Sequence, residues 1–170
     1  MFIRSAVLIV AIVVAQAVSA QPDPRVARIG YLSASHAMEN DQLALAFLRG
    51  LEDLGYVQGR NIIVEKRAAH GRLERLPGLA AELVRANVDV IVAPPLPAAL
   101  AAIKATRAIP IVFMMVSDPV GAGLAASLSR PGGNATGLSN QSEDVAGKMI
   151  ELLREAVPSA KRFVVLARTD

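Results

Sequence analysis

The chain of 170 residues carries 18 Lys or Arg against 15 Asp or Glu, and 53% of its residues are hydrophobic. Its cations are scattered among acids and its aromatics are only two Tyr and four Phe, a composition that disfavours nucleic-acid binding by a basic, aromatic-lined surface. It has no cysteine, which excludes disulfides, thiolate metal sites and a lipid-modified N-terminal cysteine.

The first residues have the pattern of a secretory signal peptide. One cation, Arg4, precedes an apolar run. Small residues up to Ala20 occupy the positions expected before a cleavage site. The alternative is a membrane anchor, but Gln16 interrupts the run well short of the roughly 20 apolar residues that span a bilayer. We therefore predict a signal peptide over residues 1–20 that is cleaved, a linker over 21–26, and a periplasmic protein without a lipid anchor.

From residue 26 onward, short β-branched runs alternate with amphipathic segments. Strands are predicted, in chain order, over residues 26–33, 61–67, 88–94, 109–116 and 134–139. The fourth run, IPIVFMMV, is apolar throughout, which is typical of a parallel strand covered on both faces. Regular alternation with short, right-handed connections predicts an α/β fold with a doubly wound parallel sheet.

Helices are predicted between these strands. The first begins at the N-cap Asp41 and ends at Gly55, a residue suited to the left-handed conformation. Its predicted apolar face consists of Leu43, Phe47, Leu51 and Leu54. The second helix carries Pro77 in its first turn, where the missing N–H does little harm. Its predicted apolar residues are Leu76, Leu79, Ala80 and Leu83.

Three further helices are predicted in the second half of the chain. An alanine-rich helix extends from Pro97 to about Thr106. After the fourth strand, Asp118 is expected to cap a short helix whose Leu124 and Leu128 face the core. A last helix, from about Glu143 to Ala156, has an amphipathic pattern.

A glycine-rich stretch between the fourth and fifth strands fits a nucleotide-binding pattern. Residues 121–126 read G-x-G-x-x-A, and Glu143 follows at the distance expected of a ribose-binding acid. A dinucleotide fold, however, places these glycines in its first strand-to-helix turn, and here that turn, residues 32–40, contains none. The glycines are more simply explained as turn residues. We therefore expect no nucleotide and no other cofactor.

Ligands of doubly wound sheets bind outside the carboxyl ends of the strands. That rule selects the loops over residues 33–40, 93–97 and 117–121. These loops hold a histidine and two acids but no cysteine, lysine or arginine that could complete a nucleophile, a base and an oxyanion site. The sequence therefore predicts a polar cleft that binds a solute without catalysis.

The candidate ligand-binding residues are Ser33, Ser35, His36, Ser117, Asp118, Asn140 and Gln141. Each has a structural alternative. The serines before residue 40 suit a capped turn equally well. Asp118 suits a helix cap or a ligand ammonium, and the two roles are compatible when one oxygen is free. His36 suits an ordinary surface position, and the two amide side chains suit an ordinary hinge.

Six segments between about residues 27 and 167 carry a family resemblance. They read, in order, LEDLGYVQGRNIIVE, GRLERLPGLAAELV, VDVIVA followed by PAALAAIKAT, IPIVF, SDPVGAGLAASLSRPGGNATGLS and GKMIELLREAVPSAKRFVVL. Together they resemble the ABC-transporter substrate-binding family that includes tryptophan and tyrosine receptors. The resemblance implies a type I periplasmic binding fold, in which two α/β lobes, the first with a flavodoxin-like strand order, close on a small solute.

The same resemblance implies the function and the partners. A small solute, an amino acid or a similar molecule, would be captured and delivered to an ABC permease in the membrane, without enzymatic turnover. The alternative is an extracytoplasmic sensor that presents its ligand-bound form to a signalling protein. The full-length receptor is expected to be a monomer that binds no nucleic acid.

Two departures from the family pattern limit these expectations. Family members often have glycines and a threonine where this chain has Pro94, Pro95 and Leu96, so carboxylate binding at that loop is in doubt. The domain division predicted is a first lobe over residues 27–139, followed by a hinge and an incomplete second lobe over 140–170. A lobe needs on the order of 100 residues. We expect a fragment that binds solute weakly and exposes its last helix to self-association.

Overall fold

A parallel sheet of five strands organises the described part of the chain. The strands are β1 (Ala27–Ser33), β2 (Ile62–Ala68), β3 (Val90–Ala93), β4 (Ile111–Val116) and β5 (Ala135–Ser139). Their order is β2-β1-β3-β4-β5, and each neighbouring pair is parallel. This is the flavodoxin-like order, so the α/β fold class predicted from the alternation of strand and helix patterns is confirmed.

The computed structural model describes residues 26–35, 37–38, 41–140, 142–160, 162 and 164. The predicted signal peptide over residues 1–20 and all but the last residue of the predicted linker lie outside that part. The same holds for most of the strand expected after the last helix. Within the described residues, no helix is long and apolar enough to cross a bilayer.

Four α-helices flank or follow the strands of the described chain. They are α1 (Gln42–Asp53), α2 (Leu76–Arg85), α3 (Leu96–Ala105) and α4 (Ser142–Ala156), with a short 3₁₀ turn (Leu73–Arg75) before α2. The predicted start of α1 is confirmed, because the Asp41 side chain accepts hydrogen bonds from the N–H groups of Leu43 and Ala44. Gly55 follows its last turn with a φ of +86°, as predicted for a helix-ending glycine.

One face of the sheet, the α2–α3 face, is covered by the helices α2 and α3. The predicted apolar stripe of α2 is confirmed, since its four members Leu76, Leu79, Ala80 and Leu83 are buried. The core of this face also takes Ile91 from β3 and Ile111 from β4. In α3 the buried side chains are alanines. Because alanine side chains are short, α3 lies close against the strands.

The opposite face, the α1 face, is covered by α1. Its buried core consists of Ile29, Tyr31, Met38, Ala44, Ile62, Val64 and Val92. The predicted apolar face of α1 is only partly correct. Phe47 and Leu51 pack against this core, but Leu43 is 49% exposed and Leu54 is 75% exposed. The buried residue of α1 is Ala44, next to Leu43, and Phe47, Leu48 and Leu51 pack beside it against this core.

The predicted short helix after Asp118 is wrong. The segment between β4 and β5 forms successive turns, and the N–H groups of Leu124 and Ala125 both bond to the carbonyl of Pro119. Gly123 has a φ of +73°, outside the helical region, which ends any helix before its second turn. Leu124 is buried as expected, whereas Leu128 is 57% exposed.

The last helix, α4, is present where the amphipathic pattern predicted it. Its residues 147–156 are all exposed. The exposed large apolar side chains among them are Met149, Ile150, Leu152 and Leu153. An amphipathic helix is normally stabilised by burying this stripe. In α4 this stripe faces solvent, which agrees with the prediction of an exposed last helix.

Candidate functional site

The carboxyl ends of β1, β3, β4 and β5 meet at one edge of the sheet because the strands are parallel. A cavity of about 340 Å³ opens at this edge, on the α1 face. It is lined by Leu43, Phe47, Pro94, Met114, Met115, Leu138, Ser139 and Asn140. The wall is thus mainly apolar, with one hydroxyl and one amide side chain at the end of β5. Its volume is in the range of small-molecule sites.

The strand β4 has an irregular end that shapes this cavity. Phe113 pairs with Gly137, but the next pair joins Val116 to Ser139, so β4 has one residue more than β5 between them. The bulged residue Met115 has a φ of +58° and is 51% exposed. Bulges of this kind redirect a side chain and are common next to functional sites.

Hydrogen bonds join the ends of β4 and β5. The hydroxyl of Ser139 donates to the carbonyl of Ser117 at 2.9 Å, and the N–H of Asn140 donates to the carbonyl of Val116 at 3.3 Å. These bonds bring two predicted site residues, Ser117 and Asn140, to the same end of the sheet. Of the predicted residues, Asn140 lines the cavity itself.

Asp118 lies next in the chain and holds the loop after β4. Its Oδ1 accepts hydrogen bonds from the N–H groups of Val120 and Gly121, at 3.1 and 2.8 Å. A Cβ at Gly121 would displace the Asp118 carboxylate from this position. Among the described residues, Oδ2 of this exposed carboxylate accepts no hydrogen bond. The predicted dual role is therefore geometrically open, with one oxygen capping a turn rather than a helix.

Ser33 and Ser35 lie farther along the same edge. Ser33 is 2% exposed, and its Oγ accepts the N–H of Ser35 at 3.2 Å, so its side chain stabilises the local turn. The strand β3 lies between β1 and β4, which separates Ser33 from the end of β4 by two strand spacings, about 10 Å. The structure therefore does not bring Ser33 and Ser35 into the larger cavity.

A second, smaller cavity of about 220 Å³ lies beside Ser33, at the ends of β1 and β2. Its lining includes Tyr31, Met38, Lys66, Arg67 and His70. The Arg67 guanidinium is paired, with Nε 2.7 Å from a carboxylate oxygen of Glu82. A second carboxylate, that of Glu65, lies 3.7 Å from the Arg67 guanidinium, so this cation is offset by neighbouring acids.

Tyr31 is buried on the α1 face beneath this edge. Its hydroxyl has no hydrogen-bond partner in the described structure, and its ring lies 6.1 Å from that of Phe47. Burial, and secondarily the negative charge of Asp41, raises the pKa of Tyr31 to about 12. The phenol is therefore a neutral donor at any physiological pH.

The loop after β3 lacks the side chains that the family pattern has there. The Pro94–Pro95 peptide bond is cis, and Pro95 precedes α3 without a side-chain cap. Pro94 contributes an apolar wall to the larger cavity. This loop offers no side-chain hydroxyl to a ligand carboxylate, because its residues are two prolines and Leu96.

Two of the predicted site residues, His36 and Gln141, lie outside the described residues. The apolar wall formed by Leu43, Met114, Met115 and Leu138 was not predicted from the sequence. The consecutive methionines at the end of an apolar strand were the available signal. Within the described residues, no group of three His, Asp or Glu side chains is placed to hold a metal ion.

Comparisons with known proteins give one consistent family. The sequence model of the family described as ABC transporter substrate binding protein matches residues 35–169. A tyrosine-binding protein of Clostridioides difficile is 37% identical over 130 residues, which are 76% of this chain and 37% of that protein.

Three solved structures are similar over most of the described chain. A conserved domain protein of Vibrio cholerae has a TM-score of 0.70 at 34% identity, covering 81% of this chain and 46% of its own. The ligand-free, open form of a substrate binding protein with adhesive properties from Clostridium difficile has a TM-score of 0.66 at 33% identity. The match covers 80% of this chain and 45% of that protein. An ABC domain in complex with L-Trp from Streptococcus pneumonia has a TM-score of 0.61 at 29% identity. The match covers 68% of this chain and 39% of that domain's chain. The chain thus spans less than half the length of each of these relatives.

Proposed function

Because the chain belongs to the ABC transporter substrate binding protein family, we propose that it captures a small solute, an amino acid with a largely apolar side chain, for an ABC importer. The solute is held at the carboxyl edge of the sheet, next to the ends of β4 and β5. It is bound and released without chemical change. The membrane partner is an ABC permease, and the protein acts outside the cytoplasm.

The observation that carries this proposal is an apolar cavity at the carboxyl end of β4, the strand that is followed two residues later by the carboxylate of Asp118. Asp118 follows the end of β4, and the cavity is lined by side chains from β4, β5 and α1. A free amino acid offers an ammonium group next to a side chain. An ammonium group forms charge-assisted hydrogen bonds with a carboxylate, and an apolar side chain gains by leaving water.

Other groups at the edge fit the same solute. The amide of Asn140 can donate or accept a hydrogen bond at the cavity wall. Ser33 and Ser35 lie about 10 Å away, at two strand spacings, so they are assigned to the rim of the site rather than to the ammonium contact. His36 and Gln141, which lie outside the described residues, remain predicted contacts.

The relatives support an aromatic side chain in the solute. One is named a tyrosine-binding protein, and another was solved in complex with L-Trp. The cavity of about 340 Å³ is large enough for an aromatic ring, and its wall contains Phe47 and two methionines. These relatives are also named for binding, which agrees with the lack of an assembled catalytic set in the loop sequences.

A solute titration tests the proposal. We would follow backbone NMR shifts of the 170-residue chain during addition of L-tryptophan to about 10 mM, a range suited to affinities near 4 kcal/mol. Saturable shifts are expected at Met115, Asp118 and Asn140. Tryptamine, which keeps the ammonium, should shift the same signals, and indole-3-propionate, which lacks it, should bind more weakly.

The Asp118→Asn substitution tests whether the negative charge of Asp118 contributes to binding without changing the stability of the fold. The amide oxygen can still cap the turn, so stability should hardly change, but loss of the negative charge should weaken L-tryptophan about fivefold. Asp53→Asn, in the last turn of α1 and away from the cavity, is the matched control and should bind as the wild type does. Absence of any saturable shift with tryptophan, tyrosine, phenylalanine or leucine would refute the proposal.

A further inference from the structure

We propose that Met115 selects the side chain of the solute, and that the bulge in β4 exists to place it in the cavity. This inference rests on the proposed function, because it concerns the same site. Its evidence is independent of the relatives, since it comes from the register, the backbone conformation and the exposure of one residue.

The register of β4 breaks the normal alternation of side chains. In a regular strand Phe113 and Met115 would lie on one face, and Met114 and Val116 on the other. Instead Phe113 and Val116 are both buried in the core of the α2–α3 face. Met114 and Met115 both line the cavity. The extra residue thus turns the Met115 side chain, which would have entered the core, toward the cavity.

The backbone of Met115 is in an unfavourable conformation for its residue type. Its φ of +58° lies in the left-handed region, where a side chain with a Cβ is strained. Glycine would adopt this conformation without strain. Residues in such conformations cluster at ligand sites, where the strain is retained because it positions a group. At 51% exposure Met115 is not held there by burial in the core.

The chemistry of the side chain indicates what it selects. A thioether is flexible and polarisable and contacts aromatic rings more favourably than an aliphatic chain does. Met114 and Met115 supply two such groups to one wall, and Phe47 supplies a ring to the same cavity. This set favours a solute with a planar aromatic side chain over one with a branched aliphatic side chain.

The alternative is that Met115 occupies the bulge without contributing to the choice of solute. The two explanations differ for Met115→Gly and Met115→Ala. Glycine removes both the strain and the side chain, whereas alanine removes the side chain and keeps the strain. Met149→Ala is the matched control, because Met149 on α4 is 58% exposed and does not line the cavity.

The experiment compares the wild-type chain with these three variants. Thermal unfolding should show that Met115→Gly raises the Tm by about 3 °C, while Met115→Ala does not. NMR titrations should show that both Met115 variants bind L-tryptophan three- to tenfold more weakly, on the order of one thioether–ring contact, and lose less affinity for L-leucine. Met149→Ala should match the wild type in both titrations.

The outcomes distinguish the two proposals. If the wild type binds neither amino acid, the proposed function fails and this inference fails with it. If the wild type binds L-tryptophan and both Met115 variants bind it equally well, only the selection by Met115 is refuted. A lower Tm for Met115→Gly would also overturn the inference, since Met115 would then stabilise the fold rather than strain it.

Discussion

The two faces of the sheet contain the same kinds of side chain but are covered to different extents. On the α2–α3 face, two helices cover the strands, and residues such as Leu83 and Ile111 are fully buried. On the α1 face, α1 is the one helix of the described residues that packs on the strands, and its core comes mainly from β1, β2 and β3. Beyond its edge, Leu138 of β5 is 70% exposed and Met115 of β4 is 51% exposed.

This contrast separates stability from recognition. Apolar side chains stabilise the fold in proportion to the area that they remove from water, so the α2–α3 face should contribute most of the stability. The side chains around the open end of the α1 face are available to a ligand instead. If this division is correct, identical substitutions on the two faces should differ sharply in cost.

The largest expected effect comes from truncating one leucine on each face. Leu83→Ala should lower the free energy of unfolding by about 3 kcal/mol, because it leaves a cavity in a packed core. Leu138→Ala should cost less than about 1 kcal/mol, since Leu138 is mostly exposed. Urea unfolding followed by circular dichroism measures both. Equal losses would mean that the α1 face is closed in solution.

A smaller loss of stability is expected from a substitution where β5 joins the sheet. A Cβ at Gly137 would collide with the carbonyl oxygen of Phe113, so Gly137→Ala should cost about 2 kcal/mol and loosen β5. Gly133→Ala, which has open space around it, is the control and should be nearly neutral. Hydrogen exchange of the β5 amides checks the cause. Unchanged protection in Gly137→Ala would contradict the tight pairing of β4 and β5.

The buried phenol on the α1 face predicts an alkaline loss of stability. Burial, with a smaller contribution from Asp41, raises the pKa of Tyr31 to about 12 from 10.0, so folding favours the protonated form. This contribution is complete below pH 10 and is lost as the pH rises to 12. Its size is on the order of 2 kcal/mol for such a shift.

Unfolding at pH 9 and pH 12 measures this loss. Tyr31→Phe should be less sensitive to the pH increase than the wild type, and at neutral pH it should be nearly neutral, because the hydroxyl has no partner in the described structure. Tyr56→Phe, which removes a hydroxyl from a residue 47% exposed, should keep the wild-type sensitivity. The same sensitivity in all three proteins would show that the Tyr31 phenol is solvated.

The smallest effect is expected at the loop that carries the candidate carboxylate. Asp118→Ala removes the acceptor of two backbone N–H groups and should cost about 1 kcal/mol. Asp118→Asn keeps an acceptor oxygen and should cost much less. Thermal unfolding of both variants provides the measurement. Equal costs would indicate that the charge of Asp118, rather than its hydrogen bonds, stabilises the loop.

Local patterns were sufficient for the order and type of most elements. Alternating apolar runs predicted all five described strands, and the cap at Asp41 located the start of α1. The stripe of α2 was also predicted correctly. These features depend on side-chain periodicity and on hydrogen bonds between near neighbours, both of which are visible in the sequence.

The helix predicted after Asp118 is absent because of the conformation of one glycine. The aspartate and the following proline form a valid helix start, but Gly123 turns the chain into the left-handed region five residues later. A glycine is permissive rather than directive, so the sequence alone does not reveal which conformation it adopts. The surrounding contacts choose between helix and turn.

The candidate site was predictable in its position but not in its lining. The rule that ligands bind at the carboxyl ends of parallel strands selected the loop of Asp118 together with the loops over residues 33–40 and 93–97, whereas Asn140 was proposed from the expected hinge. The rule does not tell which of the selected loops lie next to each other. Ser33 was selected too, but the strand order places it two strands away from the end of β4. Strand order is a property of the assembled sheet, because it depends on which distant segments pair.

The division between buried and available apolar residues likewise arises only on folding. The sequence contains the leucines and methionines and sets their spacing along each element. Which of them meet a helix, and which meet solvent at the end of β4 and β5, depends on how far α1 reaches across the sheet and on one extra residue in the β4 register. Both are long-range features, since they depend on packing between segments far apart in the chain.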